Sequence, residues 1–248
     1  MVCFLKMQTN TFDFKNQVAK EHEKTIHEIN DILSLPKCNL YVLFGNQDWR
    51  RGDGLYIYVK VGGIETDIPD EVSKIIEKKK PGHLIWISNR VCVGDPIHLA
   101  WTYSHELQHL KQFLQNPTFY FLHEFFWKSL VYSLDKPDTP PQEPIRIPTE
   151  YDAERVAKRV VTQIFGKDER IKYIKSQVEL NLQSQKWGRI ISKADINKKY
   201  DVEAETVRYL CKRRHRRWFK ERQTKLDNSS VVKTLNFDKI CQEKKIPK

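Results

Sequence analysis

Thr102-Tyr103-Ser104-His105-Glu106-Leu107-Gln108-His109-Leu110-Lys111-Gln112-Phe113 decides how this chain is read. Around it Leu99, Tyr103, Leu107, Leu110 and Leu114 recur at steps of three and four, the spacing of a helix with one buried stripe. His105 and His109 stand off that stripe but one helical turn apart, so their imidazoles share a face and converge. Two neutral imidazoles so placed can grip one zinc ion, and Glu106 beside them can reach a water at that ion.

His-Glu-x-x-His on a helix is the signature of zinc peptidases, with the Glu as general base. A zinc ion that does chemistry keeps three protein ligands and one open position, so a third ligand is required. The extended His-Glu-x-x-His-x-x-Gly-x-x-His spacing is absent, because positions 112 and 115 are both Gln. The best candidate is Glu150 in Pro148-Thr-Glu-Tyr-Asp-Ala-Glu-Arg-Val-Ala157, at the head of the stripe Ala153, Ala157, Val161 and Ile164. A carboxylate leading an apolar stripe is costly to bury alone, and a metal would resolve that cost. The plainer reading of Glu150 is a carboxylate stabilised by the helix dipole. Glu154, one turn on, has the spacing of a carboxylate that orients a ligand histidine, whereas Asp152 falls on the opposite face and is expected in solvent. His123 is the rival. It shares a helical face with Phe119, Trp127, Leu130 and Leu134, and is either a ligand, a donor to the transition state, or a hydrogen-bonded core histidine.

The remainder of the chain sets the bounds. Its 248 residues, 40% hydrophobic and 11% aromatic, suffice for a substantial core and exclude a disordered protein. A net charge of +11 favours nucleic acid, an anionic membrane or an acidic partner. Cys3, Cys38, Cys92, Cys211 and Cys241 are scattered, with no Cys-x-x-Cys pair, which points away from a disulfide framework and toward a reducing compartment. Met1 to Lys6 is too short for a signal-peptide core, and Phe119 to Leu134 carries His123, Glu124 and Lys128 and is too short to cross a bilayer. The expectation is a cytoplasmic protein without a membrane partner.

Phe14 to Leu33 reads as an amphipathic helix, Asn39–Gly45 and Leu55–Val61 as strands, Ile68 to Lys80 as a second helix and His83–Ser88 as a third strand. Strands leading into a zinc-binding helix is the zincin architecture, in which an edge strand beside the helix pairs with an extended substrate. Leu84 to Ser88 is the candidate edge, the alternative being a central strand. Five prolines between Asp135 and Pro148 make a loop that delivers the chain to a helix capped by Thr149. A charged helix is expected from Asp168 to about Gln185. Ser192 to Leu210 follows the pattern of a helix-turn-helix, with Ser192-Lys-Ala-Asp195 as a capping box at its start and Ile196, Tyr200, Val202, Val207 and Leu210 buried.

His105-Glu-Leu-Gln-His109, Glu150-Tyr-Asp-Ala-Glu-Arg-Val-Ala157 and Lys198-Lys-Tyr-Asp-Val-Glu-Ala-Glu-Thr-Val207 together resemble the gluzincin peptidases of the ImmA/IrrE type, over about residues 84 to 215. That resemblance implies a zinc-dependent endopeptidase, often one acting on a DNA-bound repressor. The chain departs from the family pattern at Gln108, Glu154 and Asp201.

Lys212, Arg213, Arg214, Arg216, Arg217 and Lys220, with Arg222 and Lys225 beyond, form a run dense enough to hold phosphate without sequence preference, or else a solvated helix end. Glu203 and Glu205 stand where a recognition helix would meet DNA and would repel it, so the helix-turn-helix reads as a packing unit. The expected whole is an α+β, zincin-like metallopeptidase with a small N-terminal sheet and a helical C-terminal half ending in a helix-turn-helix-like unit. Its domains are 1–185 (peptidase), 186–226 (basic helical region) and 227–248 (polar tail). The cofactor is zinc, the partner a protein substrate, and the alternative a DNA- or protein-binding regulator with a structural or inactive zinc site.

Overall fold

The structure is a computed structural model and describes residues 11–13, 20–34, 38–48, 52–58, 68–78, 82–118, 144–180 and 182–212. It is a mixed α+β fold in which helices predominate. The chain forms two compact units that interleave in sequence, one drawing on residues 1–111 and 156–177, the other on residues 112–155 and 178–248.

The first unit holds the sheet. β1 (Thr11–Asp13), β2 (Leu40–Phe44), β3 (Gly54–Tyr58) and β4 (His83–Ile87) are ordered β1-β2-β4-β3, with β1/β2 and β2/β4 parallel and β3/β4 antiparallel. Every residue of β4 is buried, whereas β3 buries only its middle residue. The expectation that Leu84 to Ser88 is the edge therefore fails. A run as uniformly apolar as Leu-Ile-Trp-Ile must be covered on both faces and takes the centre of a sheet. Among the described residues the edge that flanks β4 is β3.

On one face Leu43, Val72, Leu84 and Trp86 form a core that Ile75 and Ile76 of α2 (Asp70–Lys78) close. The other face takes α1 (Lys20–Leu33) and α4 (Pro96–Gln115), reached through the short α3 (Asn89–Cys92). There Tyr103 sits 6.1 Å from the Phe44 ring and its hydroxyl donates to Asn30 Oδ1 at 2.9 Å. Ile26, Ile29 and Leu33 line the same core, and Lys111 Nζ donates to the Leu33 carbonyl. Asp95 opens α4: its side chain accepts from Ile97 N at 2.8 Å and its carbonyl from Leu99 N, with Pro96 at the first helical position, where a missing N–H costs nothing. The buried stripe of α4 holds at Leu99, Tyr103, Leu107 and Leu110. Leu114 is 39% exposed, because the last turn outruns the core.

α5 spans Pro148–Val178 and is interrupted at Gly166 (φ 84°, ψ 170°), a conformation open in practice only to glycine. Its distal part belongs to the first unit, where Tyr173 lies 5.3 Å from the Trp101 ring. Its first turns belong to the second unit, with α6 (Leu182–Lys193) and α7 (Val202–Cys211).

Several local expectations are corrected here. Thr149 is not the N-cap: the Ile147 carbonyl accepts from Tyr151 N, so Ile147 caps the helix and Pro148 is its first residue. The helix expected to run from Asp168 to Gln185 ends at Val178, without a Gly or Pro to mark the break, and a separate helix starts at Leu182. Ser192 lies in the last turn of α6 and not at the start of a helix, so no capping box forms there; the cap of α7 is Asp201, which accepts from Ala204 N at 2.9 Å. Residues 194–201 join the two helices, and of the five apolar positions expected inside only Val207 and Leu210 are buried, with Ile196, Tyr200 and Val202 half-buried. Among the described residues Cys38 and Cys92 are free thiols and Cys211 is disulfide-bonded. Among the described residues no helix is long and apolar enough to cross a membrane.

Candidate metal centre

α4 sets His105 and His109 one turn apart, as their spacing requires. Their Nε2 atoms lie 3.0 Å apart and the rings stand at 76°. Glu150, in the first turn of α5, completes the group: one ligand atom from each of His105, His109 and Glu150 lies within 4.8 Å of the others. His109 is buried and the other two are half-buried. Two imidazole nitrogens on one tetrahedral zinc ion, each about 2.0–2.1 Å from it, would stand roughly 3.3 Å apart. The histidine pair is already near that spacing. The donor set, two borderline nitrogens and one carboxylate oxygen, fits zinc.

Glu106 is 8% exposed, on the next side of α4. Its neighbour across the fold is Gly54, the first residue of β3. A Cβ at Gly54 would lie 2.9 Å from Glu106 Oε1 and 2.8 Å from Thr102 Cγ2, so this close approach needs glycine. The adjacent Asp53 fastens the strand down: it accepts from Arg90 Nε at 2.6 Å and pairs with His98 Nε2 at 3.1 Å, while Arg90 Nη2 donates to the Gly52 carbonyl. Burial pushes the Asp53 carboxyl up, but hydrogen bonds and charge from His98 and Arg90 outweigh it and hold it below the usual carboxylate range. His98, Thr102 and Glu106 are spaced by four on α4, so one helix face runs along the start of β3. The sequence reading missed Asp53, Gly54, Arg90 and His98. The signal available was the period of four and the Gly-Asp-Gly turn before an edge strand.

Around Glu150 one expectation is overturned. Asp152 is not in solvent but 6% exposed, accepting from Gln112 Nε2 at 3.0 Å with Arg155 Nη1 at 3.8 Å. Gln112 Nε2 also donates to the Thr149 carbonyl at 3.0 Å. A helix buried against neighbours on more than one side has no single solvent face, which is why periodicity misplaced Asp152. Glu154 is half-buried one turn beyond Glu150.

No family model, no curated protein and no solved structure matches this chain. His123, Arg213, Arg214, Arg216, Arg217 and Lys220 lie outside the described residues. Lys212 is described, with its Nζ 5.9 Å over the Tyr209 ring.

Proposed function

We propose that this protein is a zinc-dependent endopeptidase that hydrolyses a peptide bond in a protein substrate, with His105, His109 and Glu150 holding the metal and Glu106 as general base. The observation that carries the reading is the convergence of two imidazoles and a carboxylate from separate helices, next to a buried Glu106. A purely structural site has no use for a buried carboxylate in that place. When bound, the metal supplies Lewis-acid polarisation of the scissile carbonyl and a lowered pKa for the attacking water. With the metal bound, Glu106 would accept a proton from the attacking water and would return it to the departing amide nitrogen. Glu154 orients a ligand histidine from one turn away. Among the described residues β3 is an edge of the sheet, and an edge strand offers its backbone N–H and C=O groups to an extended peptide.

α6 and α7 are read as a packing unit of helix-turn-helix type, and a DNA-bound regulator is one substrate that such a unit would suit. Lys212 and the basic residues that follow it would hold nucleic acid through charge alone, with affinity falling steeply in salt.

The test is metal analysis joined to cleavage of a library of unstructured peptides. Purified protein should carry about one zinc per chain, and Glu106→Gln should keep the metal and lose hydrolysis by roughly a hundredfold or more, the range expected for a positioned acid–base group. A Glu106→Gln protein that cleaves as fast as its parent would falsify the mechanism. A zinc-loaded parent that cleaves nothing would favour a regulator with a non-catalytic metal site.

A further inference from the structure

We propose that Gln112 is a positioning residue for the third metal ligand, its carboxamide holding the helical turn that carries Glu150 at the spacing the two histidines need. This rests on the metal-centre reading above. Gln112 follows His109 by three residues on α4, so the helix that presents the imidazoles also presents the carboxamide. Its Nε2 donates to the Thr149 carbonyl and to Asp152 Oδ2, both at 3.0 Å. One acceptor precedes Glu150 in sequence and the other follows it. An amide NH2 has two protons, and this geometry uses both.

The grip is dry and extended. Gln112 is 3% exposed and Thr149 is fully buried, so water does not replace either bond when it breaks. The second carboxylate oxygen of Asp152 faces Arg155 Nη1. Arg155 Nη2 in turn donates to the carbonyls of Asp195, at 2.8 Å, and Lys198, and its guanidinium stacks 5.0 Å above the Tyr200 ring. Rotating the first turn of α5 would break this whole series of buried polar contacts. A metal site tolerates about 0.5 Å of drift in its ligands, so a turn pinned on both sides of Glu150 is what such a ligand requires.

The test measures zinc affinity by competition with a chromogenic chelator, on the full chain and well below each variant's thermal midpoint. Gln112→Met keeps the side-chain length and removes the donor. It should bind zinc roughly tenfold to a hundredfold more weakly, the usual cost of losing a group that orients a ligand. Cobalt(II) in place of zinc should show an absorption band moved toward that of Glu150→Ala. In the Glu150→Ala background, Gln112→Met should weaken metal binding no further, because it acts through Glu150. A merely structural role would lower affinity equally in both backgrounds and would leave the cobalt band unmoved. Asp152→Asn preserves shape, still accepts from Gln112, and should show a smaller loss, which keeps the test open if Gln112→Met folds poorly. Parental affinity in Gln112→Met, or an equal loss in both backgrounds, overturns the proposal. A Glu150→Ala protein that keeps its zinc at parental affinity overturns the three-ligand reading itself, and this inference with it.

Discussion

Two parts of the chain are fastened to the motif helix, and they are fastened in opposite ways. The start of β3 is held by Asp53 against Arg90 and His98, in side chains that remain 35%, 45% and 23% exposed. The start of α5 is held by Gln112 against Thr149 and Asp152, all out of water. Exposed ion pairs contribute about 0–1 kcal/mol and weaken in salt. Breaking a buried hydrogen bond while leaving its partner behind costs about 1–3 kcal/mol and is insensitive to salt. The side of the candidate site proposed to receive substrate is thus the one that salt can loosen, while the contacts at the start of α5 are shielded from it.

The largest expected effect is at the buried side. Asp152→Ala leaves the Gln112 carboxamide and the Arg155 guanidinium without their carboxylate and should cost about 3 kcal/mol, by analogy with breaking a buried ion pair. Urea unfolding would measure it, and a loss below about 1 kcal/mol, the range of exposed pairs, would erase the contrast between the two sides.

Next comes Gly54→Ala. The added Cβ meets Glu106 Oε1 and Thr102 Cγ2 within 3 Å. Overpacking of this kind typically costs 1–3 kcal/mol. Because the added Cβ would press directly on the Glu106 side chain, turnover should suffer more than stability, falling by at least about tenfold, the scale of a misplaced acid–base group. Unchanged kcat with lowered stability would mean that Glu106 does not need its present position.

The smallest effect is at the exposed pair. Asp53→Asn should destabilise by no more than about 1 kcal/mol at neutral pH after solvent screening, and by less in molar salt. The pH dependence follows from the depressed carboxyl of Asp53. Its stabilisation is present above the unfolded value of about 3.9 and is lost as pH falls through the lower folded value. Acid titrations of parent and Asp53→Asn at low salt should therefore converge below pH 4. Curves that stay parallel there would show that the charge of Asp53 plays no part in holding β3.

The strands at Leu40–Phe44, Gly54–Tyr58 and His83–Ile87 lie within a residue or so of the runs of branched and aromatic side chains, residues 59–61 of the second run lying outside the described residues, because strand propensity and burial pattern act locally. Which strand is the edge was misread, since that depends on what covers β4, a property of the packed sheet. The histidine pair was legible for the same local reason as the strands: a spacing of four on a helix puts two side chains on one face whatever surrounds it. Glu150 was nameable as a candidate but not placeable, and Asp152 was misplaced. Gln112 entered the sequence reading only as a residue that breaks the longer His-Glu-x-x-His-x-x-Gly-x-x-His spacing. By itself, then, the amino-acid sequence determined the helix, the convergence of His105 and His109, and the position of Glu106 beside them. The tertiary structure alone decided that ligand atoms of His105, His109 and the distant Glu150 lie within 4.8 Å of one another, that Gly54 leaves room for Glu106, and that Gln112 grips the turn carrying Glu150. Helical periodicity is carried by neighbouring residues, whereas those meetings depend on how separate helices and strands pack.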